Sequence, residues 1–421
     1  MRLPFIFIIV LFFLAVLVDC YLWYAITRYT SRRNRKKWRI ADIAIMAIGY
    51  ILLIAVASIP VRDEGSDILP CIWLLYSFLS LYIPRFVIAI CIILGAIFKS
   101  LFGTHRREFR TDDSREKNAG IGVGIFLGCV TFVVLWWGVF TTRRNIEVNT
   151  VNISSERVPA AFNGYKIVQF SDLHVGTWGT DTTFISEMVT RINNLNPDII
   201  VFTGDIVNRR TDELKPFLNV LTRLHAKNGV YSVLGNHDYG DYIDWKDEAS
   251  HKANNELLAN WEKQMGWKLL NNDFVILRKG DDEIVLIGVE NWGEPPFPEY
   301  GSLTDAYAPS GKSGYNLKDS RYKILLTHNP EHWTREVKEI SNIDLSLSGH
   351  THAMQMMLRV GNWKWSPSVF KYSKWGGLYS EVNKEGYPMN IYVNIGSGEV
   401  GMPSRLLAAY PEITEIILHH K

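Results

Sequence analysis

Four long apolar stretches in the first third of the chain limit its fold more than any other feature. They cover about residues 3–26, 40–59, 68–98 and 120–140. A helix needs roughly 20 apolar residues to cross a bilayer, and amides inside hydrocarbon must be satisfied within the segment. Residues 1–144 therefore read as a membrane domain of four transmembrane helices, and residues 145–421 as a separate domain. The third stretch is overlong and contains Pro70 and Pro84, which predicts a tilt, a kink or an interfacial start. The first reads as an anchor, because only Arg2 precedes it and no small-residue cleavage pattern follows.

Charge divides the chain at the same place. Residues 1–144 hold 18 Lys/Arg against 9 Asp/Glu, and residues 145–421 hold 27 against 34. A net-acidic globular part is a poor binder of polyanions, so nucleic acid is not an expected partner. Arg28, Arg32, Arg33, Arg35, Lys36, Lys37 and Arg39 fill the first loop, and Lys99, Arg106, Arg107, Arg110, Arg115 and Lys117 the third. The second loop is acidic, with Asp63, Glu64 and Asp67. Basic loops stay cytoplasmic. The globular domain is thus expected on the periplasmic or extracellular side of the cell (inner) membrane, with Arg143 and Arg144 weighing against this. Cys20, Cys71, Cys91 and Cys129 all lie in or beside apolar stretches. A metal in the globular part must then rest on His, Asp and Asn.

After residue 144 the pattern alternates. Strands are expected at 146–153, 166–170, 198–203, 230–234, 322–326, 343–347, 390–393 and 413–418. A hairpin is expected from 275–277 and 283–289, and helices near 182–195, opened by Asp181, and 212–224. Five strands run into short polar motifs. These are Asp172-Leu173-His174, Gly204-Asp205-Ile206-Val207-Asn208, Gly235-Asn236-His237-Asp238, Thr327-His328-Asn329 and Gly349-His350-Thr351-His352. In open α/β sheets the carboxyl ends of strands are where sites are built. Each motif alone is weak evidence; five in order, each at a strand end, are hard to explain by packing.

In these motifs the chain resembles the calcineurin-like metallophosphoesterase superfamily, over roughly residues 160–420. In detail it is similar to the membrane-anchored bacterial branch, through Gly164-Tyr165-Lys166-Ile167-Val168 and the tail Gly396-Ser397-Gly398 to Pro403, Arg405 and Pro411-Glu412-Ile413. The resemblance implies a four-layer α/β/β/α sandwich, two mixed sheets flanked by helices. It also implies two divalent ions bridged by Asp205, with Asp172, His174 and His352 completing one site and Asn236, His328 and His350 the other. Such ions, about 3.5–4 Å apart, share a hydroxide that attacks phosphorus. Mixed oxygen and imidazole ligands suit Mn, Fe, Zn or Co better than Mg or Ca. His237 is expected to contact the phosphate or protonate the leaving group. Asn208 stands where the protein phosphatases have an Asp that orients this histidine, and it brings no charge. Gly204, Gly235 and Gly349 are expected to allow close backbone approach. Arg405 is either a phosphate contact or a structural arginine. His225, His251, His332, His419 and His420 lie outside the motifs and read as ordinary polar residues.

Two aromatic segments flank the motifs. Residues 362–379 hold Trp363, Trp365, Phe370, Tyr372, Trp375 and Tyr379, and residues 291–309 hold Trp292, Phe297, Tyr300 and Tyr307. The first is either an insertion packed on a sheet edge or an aromatic lip at the membrane interface. The leading function is hydrolysis of a phosphate ester or pyrophosphate, with a phosphorylated, lipid-linked or envelope substrate and the bilayer as partners. The family's lipid A precursor pyrophosphatases need a cytoplasmic site, against the orientation expected here. A non-catalytic sensor or scaffold with a vestigial metal site is the alternative. A transporter is disfavoured, because Asp19, Asp42 and Arg85 are expected near helix ends and form no buried pair.

Overall fold

The computed structural model describes residues 5–102, 118–293, 298–307 and 316–421. Arg106, Arg107, Arg110, Arg115, Lys117, Phe297 and Pro309 lie outside the described residues. The chain divides into two compact units, Met1–Val139 and Phe140–Lys421.

The first unit contains helices α1 (Phe5–Tyr29), α2 (Arg32–Ser58), α3 (Leu69–Phe102) and α4 (Gly120–Phe140). All four are long and apolar enough to cross a membrane. α2 starts earlier than its apolar run: Ser31 Oγ accepts from the Asn34 N–H and caps it, so Arg32–Arg39 are helical turns rather than loop. Arg and Lys are good helix formers whose long stems reach headgroups. α3 is one continuous helix. Pro70 occupies its first turn, where a missing N–H is harmless, and Pro84 lies inside it. Gly120, Gly124 and Gly128 bring α4 against α3. A methyl group on Gly120 would stand 2.0 Å from the Cys91 carbonyl oxygen. Small residues spaced by four are how helices close together in lipid.

The charges in this unit overturn the expectation drawn from sequence. Asp19, Asp42 and Arg85 are not at helix ends but form a buried ion triad joining α1, α2 and α3. Arg85 Nη2 lies 2.6 Å from Asp19 Oδ1, and Nη1 lies 2.8 Å from Asp42 Oδ1. The Tyr50 and Tyr82 hydroxyls donate to Asp19 Oδ2 at 2.8 and 3.0 Å. Ionised groups inside a membrane survive by such pairing.

The second unit is a four-layer sandwich. Its first sheet runs in the order Glu147–Ser155, Glu412–His420, Tyr165–Phe170, Ile199–Phe202, Val230–Ser232, Trp267–Leu269. The second runs Gly377–Val382, Pro388–Val393, Leu345–Ser348, Tyr322–Leu326, Asp282–Gly288, Asp273–Lys279. Both are mixed, with four adjacent parallel strands each. Alternate residues explain the layering. Ile167, Ile199 and Val201 meet Ile284, Leu286, Ile324 and Leu347 between the sheets. Val168, Phe170, Ile200 and Phe202 face outward onto helix Thr183–Asn194 and its neighbours. Strands buried on both faces read as continuous apolar runs. Beneath the motif loops, Gln169 ties the sheets together, donating to the Ser348 carbonyl at 2.9 Å.

Local departures have local causes. The helix expected at 212–224 is a 3₁₀ segment Thr211–Phe217 followed by a short helix Leu218–Leu221, because Pro216 removes an N–H. Helix Glu248–Gln264 was not expected from its mostly polar sequence; Asp247 caps it by accepting from the Ser250 N–H. A small sheet of Trp363–Trp365, Met356–Val360 and Leu406–Leu407 also emerges, from the aromatic segment.

The triad makes one prediction. Arg85→Leu strands two buried carboxylates, a change that costs about 3–5 kcal/mol when one partner of a buried pair is lost. The full chain in detergent should melt well below wild type, and adding Asp19→Leu and Asp42→Leu should restore much of the loss. An unchanged melting temperature for Arg85→Leu alone would refute the pairing.

Candidate metal centre

The motif loops all leave the carboxyl ends of parallel strands, three from the first sheet and two from the second. They meet where the sheets' ends converge. The turns are tight: Asp172, His174, Asp205, His350 and His352 all have positive φ, at 53°, 42°, 63°, 72° and 50°. Such backbone costs of order 1–3 kcal/mol at each non-glycine residue and persists only when the surroundings force it. Two glycines permit the approach. A Cβ on Gly349 would lie 2.0 Å from Ser171 Oγ, and one on Gly235 would lie 2.2 Å from Asp205 Oδ1.

Two clusters result, Asp172–His174–His352, which is buried, and Asp205–His328–His350, in which only His350 is partly exposed. In the first, His352 Nε2 is 3.2 Å from Asp172 Oδ1 and 3.1 Å from His174 Nε2. In the second, His328 Nε2 is 3.1 Å from both Asp205 Oδ2 and His350 Nδ1. Asp205 Oδ2 also lies 3.5 Å from His174 Nε2, so one carboxylate oxygen faces both clusters. Atoms bound at about 2.1 Å to one ion stand about 3.0–3.4 Å apart, the spacing of a metal's ligand shell.

Hydrogen bonding shows that the residues suit a cation. His328 Nδ1 is 2.7 Å from the Thr203 carbonyl, which only accepts, so Nδ1 carries the proton. In the neutral ring, the Nε2 lone pair then points at Asp205 Oδ2, and two acceptors so close need a cation or a shared proton. Asn236 tells the same story. Its Nδ2 donates to Tyr242 Oη at 2.8 Å, while its buried Oδ1 has no hydrogen-bond partner among the described residues.

The electrostatics follow. Burial pushes His174 well down and His350 down to about 3, keeping both rings neutral and their lone pairs free. Burial opposes the ionised carboxylates too, but His352 holds Asp172, and His328 holds Asp205, well below the usual range. Burial also opposes the charged form of His328, yet the Asp205 carboxylate outweighs it and raises the ring to about 9. A proton on His328 thus supplies part of the positive charge that the two carboxylates demand.

Several neighbours differ from the sequence reading. His237 is oriented by Asn208, but through the backbone: Nδ1 lies 2.6 Å from the Asn208 carbonyl oxygen. The Asn208 carboxamide instead donates to Thr177 Oγ1 at 3.0 Å, so the Asn-for-Asp difference does not reach the imidazole through this contact. Arg405 is structural. It is fully buried and donates to the carbonyls of Gly398 and Ile395, with Nη2 3.4 Å from His352 Nδ1. Asp238, given no role by the sequence, receives the N–H groups of Asp205, Ile206, Val207 and Gly235 at 2.7–3.2 Å. That one carboxyl clamps the two loops carrying Asp205 and Asn236. Tyr372 also joins the centre, with Oη 3.1 Å from His350 Nε2. His251, His332 and His420 bond elsewhere, to the Tyr239 carbonyl, Thr327 and the Val158 carbonyl.

Residues 165–354 match the family model for calcineurin-like phosphoesterases, and residues 1–143 match that for the probable calcineurin-like phosphoesterase transmembrane domain. The metallophosphoesterase YkuE of Bacillus subtilis is 31% identical over 278 residues, 65% of this chain and 85% of YkuE. A transmembrane protein with metallophosphoesterase domain from Danio rerio is 29% identical over 69% of this chain, and the match spans only 61% of that relative. The UDP-2,3-diacylglucosamine pyrophosphatase LpxG of Chlamydia trachomatis is 26% identical over 56% of this chain and 80% of LpxG. Similarity in both parts, with the convergent strand-end motifs, makes this chain a member of the calcineurin-like phosphoesterase family that carries a four-helix transmembrane domain.

Proposed function

We propose that this chain is a membrane-anchored, dinuclear-metal phosphoric ester hydrolase acting on a lipid-linked or envelope phosphate ester or pyrophosphate. The observation that carries the reading is Asp205 Oδ2, 3.5 Å from His174 Nε2 and 3.1 Å from His328 Nε2. A carboxylate shared between two ligand clusters is what a two-ion site requires. In this reading Asp172, His174 and His352 hold one ion, Asn236, His328 and His350 the other, and Asp205 both. Residues 1–144 form the membrane domain and residues 145–421 the hydrolase domain. Mn, Fe, Zn or Co fits the mixed donor set. The ions would supply Lewis acidity toward the phosphoryl oxygens and activate the attacking water.

The chain's own residues do the rest. Asp238 keeps the two ligand loops in register through four N–H bonds. His237 is fixed at Nδ1 by the Asn208 carbonyl and packed on the Tyr242 ring, 4.3 Å away. Its Nε2 is then set to hold a phosphate oxygen or to give a proton to the leaving oxygen. The lipid-linked substrate class draws support from the similarity to LpxG, a UDP-2,3-diacylglucosamine pyrophosphatase, and from the membrane unit.

We assign the hydrolase domain to the periplasmic or extracellular side. Basic residues crowd the first turns of α2, and acidic residues separate α2 from α3. Of the two arginines that weighed against this, Arg144 is half exposed and pairs with Asp181 at 3.4 Å, and Arg143 is buried. It pairs with Glu399 at 3.2 Å and lies over Trp178 at 4.1 Å, so the globular fold accounts for it.

Three substitutions test the roles, on purified full-length protein with Mn, Zn or Fe and a panel of aryl phosphomonoesters, diesters and lipid pyrophosphates. Asp205→Ala should abolish turnover and lower bound metal. His237→Ala should cut turnover by about 10²–10⁴-fold while both ions stay bound; loss of the ions would contradict its role. Asn208→Ala keeps the backbone carbonyl, so its loss should be far smaller than that of His237→Ala; equal losses would show that the carboxamide matters.

A further inference from the structure

The strand pair that follows the last histidine motif has an unusual surface. Strand Met356–Val360 pairs antiparallel with Trp363–Trp365, in the register Val360 opposite Trp363 and Leu358 opposite Trp365. Directly paired residues, and residues two apart, share a face. Leu358, Val360, Trp363 and Trp365 therefore form one apolar face. Val360 is 71% exposed and Trp363 55%. Phe370, 83% exposed, extends the face and sets its ring edge-on to Trp365 at 6.3 Å. A soluble surface does not ordinarily group bare aromatics and branched aliphatics in this way.

We infer that this face is a membrane-docking element that seats the globular unit on the bilayer interface. Three observations favour a bilayer over a protein partner. The first is chain continuity. The hairpin's opposite face carries Arg359, whose Nη1 lies 2.7 Å from Glu147 Oε1. Glu147 opens the first strand of this unit, seven residues after α4 ends at Phe140. Seven residues span at most about 25 Å, so the hairpin is braced on the segment that leaves the last membrane helix. The second is a further tie to that segment. Met356 pairs with Leu406, and the nearby Pro403 carbonyl accepts from Arg143 at 3.2 Å. The third is composition. Trp363 and Trp365, with Lys371 directly after Phe370, are the side-chain chemistry of the membrane–water interface.

The inference does not depend on catalysis. If the proposed hydrolase reading also holds, docking has a consequence: Phe370 is two residues from Tyr372, which touches His350. The docked face would then lead from the lipid interface directly to the metal centre.

Photo-crosslinking tests this on the full chain in nanodiscs of phosphatidylcholine and phosphatidylglycerol. p-Benzoylphenylalanine is placed at Phe370 and, in a second variant, at Trp363; both sites are exposed, so folding should be preserved. A control carries it at Lys252, whose side chain is 76% exposed on helix Glu248–Gln264, which packs at the other edge of the first sheet. After irradiation, lipid adducts measured by intact mass should be at least fivefold more abundant at Phe370 and Trp363 than at Lys252. Adduct levels equal to the control, or crosslinks between two copies of the chain in place of lipid, would overturn the assignment. If only one variant folds, its ratio to the control decides.

Discussion

The globular unit is organised around a shortage of positive charge. Two carboxylates and four imidazoles are packed together, with ring nitrogens and carboxylate oxygens 3.1–3.5 Å apart. Burial alone would protonate the carboxylates and empty the site of charge. The histidines keep Asp172 and Asp205 ionised instead, and His328, its Nδ1 fixed by the Thr203 carbonyl, holds the compensating proton. A site built this way suits cations, since an ion would displace the His328 proton and supply the positive charge that the carboxylates call for.

The rest of the unit keeps those atoms close. Parallel strands deliver the ligands from two sheets to one end, and the strained left-handed residues aim them inward. Gln169 locks the sheets together below, and Asp238 locks two loops beside them. Removing a methyl group at position 349 or 235 by using glycine is what lets loops from different strands touch. These devices act on geometry, so a change in any of them should be felt at the metal centre before it is felt in the sheets.

Much of this was legible in the sequence, and the gaps have physical causes. Strand ends and the polar residues that gather beyond them could be read because apolar runs and strand-end polar residues are local patterns. Four features could not. The Asp19–Arg85–Asp42 triad depends on three helices meeting, which no single apolar run records. The Asn208 contact is made by a backbone carbonyl, which residue identity does not reveal. Arg405 looked available to a phosphate, yet the glycine-rich segment wraps it and uses its donors on carbonyls. Tyr372 lies 20 residues beyond His352 and reaches His350 only because the intervening hairpin folds back. Asp238 carried a usable signal, an acid directly after the Gly-Asn-His turn, where a carboxylate can accept the loops' N–H groups.

On the proposed reading, Asp205 stands between two ions. Crystals of the full chain grown with Mn, measured with anomalous scattering at the Mn edge, test it most directly. Two anomalous peaks on either side of Asp205 Oδ2 are predicted, one among Asp172, His174 and His352 and the other among Asn236, His328 and His350. A single peak, or none within bonding distance of Asp205, would rule out the two-ion site.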